Sequence, residues 1–392
     1  MDFSVTDELA AHRDAARQWV VDNVRPAWVE EQYRTGVHQT MELHRLLARD
    51  GILGAGWPAA HGGTEVVPEF ARALHSEISR FGLAADGWST TLMVINTINE
   101  VGTESQKREY IGGALRGEIL IALGYTEPES GSDVAAAKTT AVRNEAGWLI
   151  NGQKLFTSTA QCCSHVFVLA RTNPGVPKHR GLSLFLVRTD DPGFDLRPIH
   201  TLGGQQTCAT YYSDVQVPDS ALIGGVDEGW RVMKVALVHE RGSDNLEFVE
   251  TRVSSDLARW ARGPRDSDGT TPLDDPLVAE RIGRMAVEEE VARLLALQVR
   301  ATSERGEPPA VEGAMAKLFR TEAAQRHHSD ALDILGADGI LAPGAPGAPD
   351  AGLFEAGFRS AVVETIRGGS SEILREIIAE RRLGLPRTRP RQ

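Results

Sequence analysis

Residues 122–141 read ALGYTEPESGSDVAAAKTTA. A strand-like apolar run ends at Thr126-Glu127-Pro128, a loop follows at Ser130-Gly131-Ser132-Asp133, and another strand-like run comes after it. Hydroxyls, a glycine and open backbone N–H groups in such a loop suit it to hold anionic or carbonyl oxygens. A plain turn, with Asp133 bonding its own backbone, is the other reading open at this point.

The stretch decides the fold because the pattern changes around it. Upstream, to residue 118, the chain reads as helices: in DELAAHRDAARQWVVDNV the apolar residues Leu9, Ala16, Val20 and Val24 recur in steps of seven and four, which keeps them on one helical face. A Gly/Pro break at GAGWPAAHGG (54–63) interrupts that part. From 119 to 226 short apolar runs alternate with turn residues, as in GWLINGQKLFTS, HVFVLART and GLSLFLVRT, with turn signals at 144–147 and 190–193. From 227 to 392 the pattern is helical again, broken by Gly/Pro/Asp-rich loops at 261–275 and 336–352. The expected order is therefore a helical domain (1–118), a β domain (119–226) and a second helical domain (227–392), an α+β chain. The terminal PRTRPRQ reads as a frayed tail.

Composition narrows the function. A net charge of -12 argues against a broad nucleic-acid surface, which needs a basic field. The three cysteines, Cys162, Cys163 and Cys208, give no disulfide framework and no C-x-x-C, so no zinc site is expected and the thiols suit a reducing cytoplasm. No basic stretch followed by an apolar core opens the chain, and no run of about 18 apolar residues offers a membrane span.

Two further stretches carry candidate chemistry. In DEGWRVMKVALVHERGSDNLEFVE (227–250), Asp227 suits an N-cap and Glu228 a first turn. Trp230, Met233 and Leu237 share one face, and the next positions on it are Glu240 and Asp244. A carboxylate rarely goes inside unpaired. Either the helix emerges into solvent there, or Glu240 pairs with an arginine, or a desolvated acid is poised as a base. In ETIRGGSSEILREIIAERRLGLP (364–386), Gly368-Gly369 precede a helix with Glu372 in its first turn, Ile373, Leu374, Ile377 and Ile378 in i, i+4 pairs, and Gly384 and Pro386 beyond its end. The turn is an ordinary tight turn or a place where backbone approaches a phosphate or an electron-rich ring.

Together these stretches resemble the acyl-CoA dehydrogenase family over nearly the whole chain. GYTEPESGSDVAA resembles its Thr-Glu-Pro-x-x-Gly-Ser-Asp signature, NGQKLFTSTA (151–160) its Asn-Gly-x-Lys-x-Trp-x-Thr segment, WPAAHGG (57–63) a loop of its N-terminal domain, and SSEILREIIAER its last helix. The resemblance implies an N-terminal helical domain, a middle β-barrel-like domain and a C-terminal four-helix bundle. It implies FAD between the β domain and the C-terminal helices, an acyl thioester (of CoA or of a carrier protein) against the flavin, and an electron acceptor such as an electron-transfer flavoprotein. By position, Thr126 and Ser132 match residues that bond the flavin and its pyrophosphate, Phe156 the aromatic packed on the ring, and Ser158 the hydroxyl near flavin N5. Tyr125, Gly131, Thr157, Ser370 and Glu372 complete the implied cofactor set. No metal is implied.

The departures matter as much. Familiar members carry Tyr-Glu-Gly-Thr before the last helix, its glutamate being the base; here the residues are Arg367-Gly368-Gly369-Ser370, so Gly368 replaces the acid. Other members place the base on an earlier helix, and Glu240 in His-Glu-Arg-Gly falls there. The backbone N–H of Gly368 is then expected to polarise the thioester carbonyl. Arg241 and Asp244 are expected near the substrate, with a surface ion pair the alternative for Arg241. The family's Arg-x-x-Phe-Gly element is not visible, and Asp333 stands where a glutamine that reaches FAD is expected. These changes, with GYTEP, KHRGLS and HERG, resemble members of steroid side-chain breakdown, some built from two different subunits. The expected assembly is a dimer, a tetramer or such a hetero-oligomer. Two rivals remain: a flavin monooxygenase on the same fold, which does not need the base, and a partner subunit that only completes another chain's FAD site.

Overall fold

The computed structural model describes residues 7–241, 253–263 and 269–386. The chain falls into two compact units, Met1–Thr201 with Gln205–Glu240, and Leu202–Gly204 with Arg241–Arg391.

In the first unit the expected N-terminal helices form as Asp7–Asn23, Pro26–Thr35, Met41–Arg49, Pro68–Arg80, Asp86–Val101 and a helical run over 104–115. The apolar steps set their buried faces. Ala16, Val20 and Val24 are inside, and so are Leu43 with Leu47 and Val94 with Ile98, each pair four residues apart. Thr103 and Gln106 make a capping box, and the Gln106 amide reaches on to the carbonyls of Ser220 and Leu222, tying this helical run to the β domain.

The β domain is one sheet of eight strands: β1 (Ile121–Gly124), β2 (Thr140–Asn144), β3 (Gly147–Lys154), β4 (His165–Arg171), β5 (Leu182–Arg188), β6 (Phe194–His200), β7 (Gln206–Val217) and β8 (Leu222–Ile223). The order is β6-β7-β3-β2-β4-β5-β8, with β1 parallel to β4, so the sheet is open between its ends β6 and β8. The Asn144–Gly147 turn closes the β2–β3 hairpin, Gly147 sitting at φ 125° with no room for a Cβ against the Val217 carbonyl. β4 is buried along nearly its whole length, matching its continuous apolar run.

The helix Gly229–Arg241 packs Val232, Met233 and Ala236 into the same core as the sheet. Asp227 is not its cap. The helix starts two residues later, and the Asp227 carboxylate accepts from the Thr172 hydroxyl (2.5 Å), anchoring the chain to the end of β4.

The second unit is helical: Val253–Ala261, Pro276–Glu304, Ala310–Leu335, Leu353–Glu364 and Ser371–Arg381. Asp275 caps the long helix through the Leu277 N–H, with Pro276 at its first position. Its core is Val253, Leu257, Ala261, Ile282, Met285, Ala331, Leu335 and Phe354. The loop expected at 336–352 contains two 3-10 turns, Gly336–Ile340 and Pro349–Gly352. The loop at 261–275 lies partly, and the tail from 387 wholly, outside the described residues. No described helix is long and apolar enough to cross a membrane. All three cysteines are free, two of them buried.

Candidate active site

The two signature loops of the first unit, nearly thirty residues apart in sequence, are one structure. Leu155 N–H donates to the Thr126 carbonyl (2.9 Å), and Lys154 Nζ reaches the Tyr125 carbonyl (3.3 Å). The joint is a buried ion pair, Lys154 to Glu127 at 2.7 Å, with side chains 0% and 6% exposed. Glu127 also accepts the backbone N–H groups of Lys138 (2.6 Å) and Thr139 (2.9 Å). Burial pushes the Glu127 carboxyl up, but Lys154 and those two amides outweigh it and hold the group below its ordinary range. Burial brings Lys154 down to about 8, with Glu127 opposing the fall. Both groups are therefore charged at neutral pH, each satisfied by the other and by backbone.

That pairing leaves other groups of the loops open. The Thr126 and Ser132 hydroxyls hydrogen-bond to none of the described residues, and Gly131, Ser132 and Asp133 are exposed. A Cβ on Gly131 would meet nothing within 4 Å. Asp133 does not fold onto its own backbone as a plain turn requires; Lys178 holds it at 2.8 Å. Phe156 stands at φ 57° and is 60% exposed, and Thr159 stands at φ 60°. Left-handed backbone in a bulky or β-branched residue costs about 1–3 kcal/mol and gathers at working sites. Ser158 is exposed and shares a hydrogen bond with Thr207 (2.9 Å). Thr157 is placed differently from its neighbours: its hydroxyl lies against Thr210 (3.3 Å) and its N–H donates to the Cys208 carbonyl (2.9 Å), so its side chain is buried in the core.

Glu240 sits half-buried in the last turn of Gly229–Arg241, on the stripe continued from Met233 and Ala236. Its neighbour His239 bonds Glu100 instead (2.7 Å). The Glu240 charge reaches Tyr125, whose buried hydroxyl has no hydrogen-bond partner among the described residues. Burial first, then the Glu240 charge, raise that phenol well above its ordinary range. Arg241 closes the helix, and Asp244 lies outside the described residues.

In the second unit, Gly368 and Gly369 are both left-handed, at φ 65° and 95°, which makes the pair a turn only glycine enters cheaply. The N–H groups of Gly368, Gly369 and Ser370 donate to none of the described residues; the next one, of Ser371, closes the turn on the Thr365 carbonyl (3.0 Å). Ser370 caps the last helix through the Ile373 N–H (3.4 Å). Glu372 and Ser371 line a cavity of about 370 Å³ with Glu322, Arg326 and Arg375. Asp333, standing where a glutamine is expected, is already paired with Arg281 (3.1 Å), which also holds Asp330 (2.8 Å).

Sequence reasoning missed two lysines. Lys154 is the inward-facing last residue of β3, and Lys317 lies on the buried face of Ala310–Leu335 with Gly313, Ala314, Thr321 and Ala324. A cation at an inward strand position, or on an apolar helical stripe, was the readable signal for each.

The chain matches three family models in order: the acyl-CoA dehydrogenase N-terminal domain over 6–118, its middle domain over 122–215 and its C-terminal domain over 227–383. It belongs to the acyl-CoA dehydrogenase family and is an oxidoreductase acting on CH–CH bonds. It is 34% identical to "Acyl-CoA dehydrogenase FadE26" of Mycobacterium tuberculosis, covering 92% of this chain and 91% of that one. The solved "Tcur3481-Tcur3483 steroid ACAD" aligns at TM-score 0.90 and 34% identity, over 99% of this chain and 100% of that one. The ChsE4-ChsE5 complex from Mycobacterium tuberculosis aligns at 0.89 and 32%, over 99% and 100%.

Proposed function

We propose that the protein is an FAD-dependent dehydrogenase that removes the α-proton and β-hydride of an acyl thioester. The observation that carries this is Glu240, a half-buried acid ending an apolar helical stripe, whose charge reaches a buried phenol without a hydrogen-bond partner among the described residues. The residues fit the cofactor. Open hydroxyls at Thr126 and Ser132 suit its polar parts, exposed Phe156 its ring face, and Ser158 its edge. FAD, when bound, accepts the hydride from the β-carbon. The chain does the rest. Glu240, half-buried at the end of its helix, takes the α-proton as general base. The Gly368 N–H donates to the thioester carbonyl as negative charge grows there, a role the unspent amide suits.

The substrate we infer is a CoA thioester on a steroid side chain, and the assembly one that includes a second, related subunit; both rest on the printed names of the relatives. An electron-transfer flavoprotein is the acceptor proposed, and a cytoplasmic place goes with it. Anaerobic mixing of flavin-loaded protein with saturated acyl-CoA esters, steroid and straight-chain, should bleach the flavin band. Glu240→Gln should keep its flavin and slow the bleaching about 10²–10⁴-fold. A variant as fast as the parent moves the base elsewhere. Oxygen uptake and substrate hydroxylation by reduced enzyme would favour the monooxygenase instead.

A further inference from the structure

Lys317 is 8% exposed, and its Nζ donates to the Gly369 carbonyl at 2.7 Å. Lysine is almost never this buried without a purpose, because the ammonium loses water and the long side chain loses rotamers. Its target is the turn in which the N–H groups of Gly368, Gly369 and Ser370 donate to none of the described residues. The peptide is planar and trans, so a Gly369 carbonyl drawn to Lys317 points the Ser370 N–H the opposite way. With Gly368 and Gly369 at φ 65° and 95°, the neighbouring amides follow from the same fixed backbone. The surroundings are cationic as well. Arg320, one turn along the same helix, has a buried Nε with no partner, while Arg367 pairs with Glu364 at the head of the turn.

We propose that Lys317 is a positioning residue for the thioester carbonyl: its buried ammonium fixes the Gly368–Ser370 amides toward the oxygen where charge develops and adds a positive charge behind them. The proposal rests on the reading of Gly368 N–H as the carbonyl donor. Loss of one direct oxyanion donor costs about 10²–10³-fold, and Lys317 acts on the Gly368 N–H only through the intervening backbone, so an effect of about 10–100-fold is expected.

The test uses the flavin-loaded full chain, with any co-purifying subunit, and acetoacetyl-CoA, whose own absorbance reports its enolate. In Lys317→Met and Lys317→Gln the pH at which the bound probe becomes half enolate should rise by about one to two units, with matching loss of flavin reduction rate. Lys317→Arg should recover part of the shift. A structural staple would instead lower the melting temperature and leave the enolate midpoint unmoved. Gln is polar but uncharged and one bond too short to reach the Gly369 carbonyl as Lys317 does, so it carries the test alone if the Met variant does not fold. A parent protein that acidifies the probe while Lys317→Gln acidifies it equally overturns the Lys317 role only. A parent that does not acidify it at all overturns the carbonyl-donor reading beneath it.

Discussion

The joined loops at 125–132 and 154–159 and the turn at 365–371 are the two places proposed to meet a ligand, and their polar groups are disposed in opposite ways. In the first, the charges are consumed internally: Glu127 and Lys154 face each other at 2.7 Å and two more amides complete the carboxylate. What remains outward is hydroxyl and aromatic surface, Thr126, Ser132, Phe156 and Ser158. In the second, one buried cation reaches one carbonyl and the amides themselves stay open. An acid in a signature motif is thus no guide to reactivity. Glu127 is a strut, while the absence of an acid at Gly368 leaves polar backbone exposed.

The largest expected effect is on the strut. Lys154→Met leaves Glu127 buried with its cation gone, and breaking a buried pair from one side costs about 3–5 kcal/mol. Urea unfolding should show that loss together with release of FAD, since Thr126 and Leu155 share the joint. A loss below about 1 kcal/mol would mean that the pair is wetter than its exposure of 0% and 6% indicates.

The next effect is the acid limb of stability. Glu127 titrates below its ordinary value of 4.5 in the fold, so it contributes stability above that pH and loses it as pH falls through its folded value. Glu127→Gln should therefore be less stable than the parent at neutral pH, yet lose less as the pH falls below 4.5. Parallel acid limbs for the two proteins would remove Glu127 from the account.

How much of this contrast could be read in advance follows from the same physics. The helical faces were legible because burial obeys spacing: Ala16, Val20 and Val24 are inside, and the Met233 stripe does lead to Glu240. The order of helices, sheet and helices was legible for the same reason. Local turn and cap chemistry was less so. Asp227 had a cap's composition, but Thr172 from β4 claimed its carboxylate, a partner 55 positions away. Thr157 sat among ligand-like residues, and the loop after β3 turned its hydroxyl inward toward Thr210. The strut needed two residues 27 positions apart to be seen as one, which no single window of sequence offers. Likewise Asp333 read by itself gave no sign of Arg281, from the preceding helix, which pairs with it.

Smaller effects separate the glycines. Gly368→Ala puts a Cβ on a residue at φ 65°, a left-handed conformation that costs an alanine about 1–2 kcal/mol. Thermal unfolding should register that loss, and flavin reduction by substrate should slow because the strained turn relaxes away from its amide geometry. A variant of unchanged stability would mean that the turn tolerates another conformation.

Gly131→Ala is the smallest case and the sharpest for the cofactor. Gly131 is not among the left-handed residues, and a Cβ there meets nothing within 4 Å, so the chain itself has no reason to require glycine. The unfolding free energy of the FAD-free protein should change by less than about 0.5 kcal/mol, the usual range for an exposed site without special features. A ligand lying over the loop would feel the methyl group directly, because Thr126 and Ser132 on either side are the open hydroxyls expected to bond it. The expected result is therefore a variant as stable as the parent without FAD but with FAD affinity weakened several-fold, measured by titration of the stripped protein. Equal affinity would place the cofactor away from Gly131 and leave the contrast between the loops and the turn resting on Phe156 and Ser158. A loss of stability without FAD would instead make Gly131 a residue the fold itself requires.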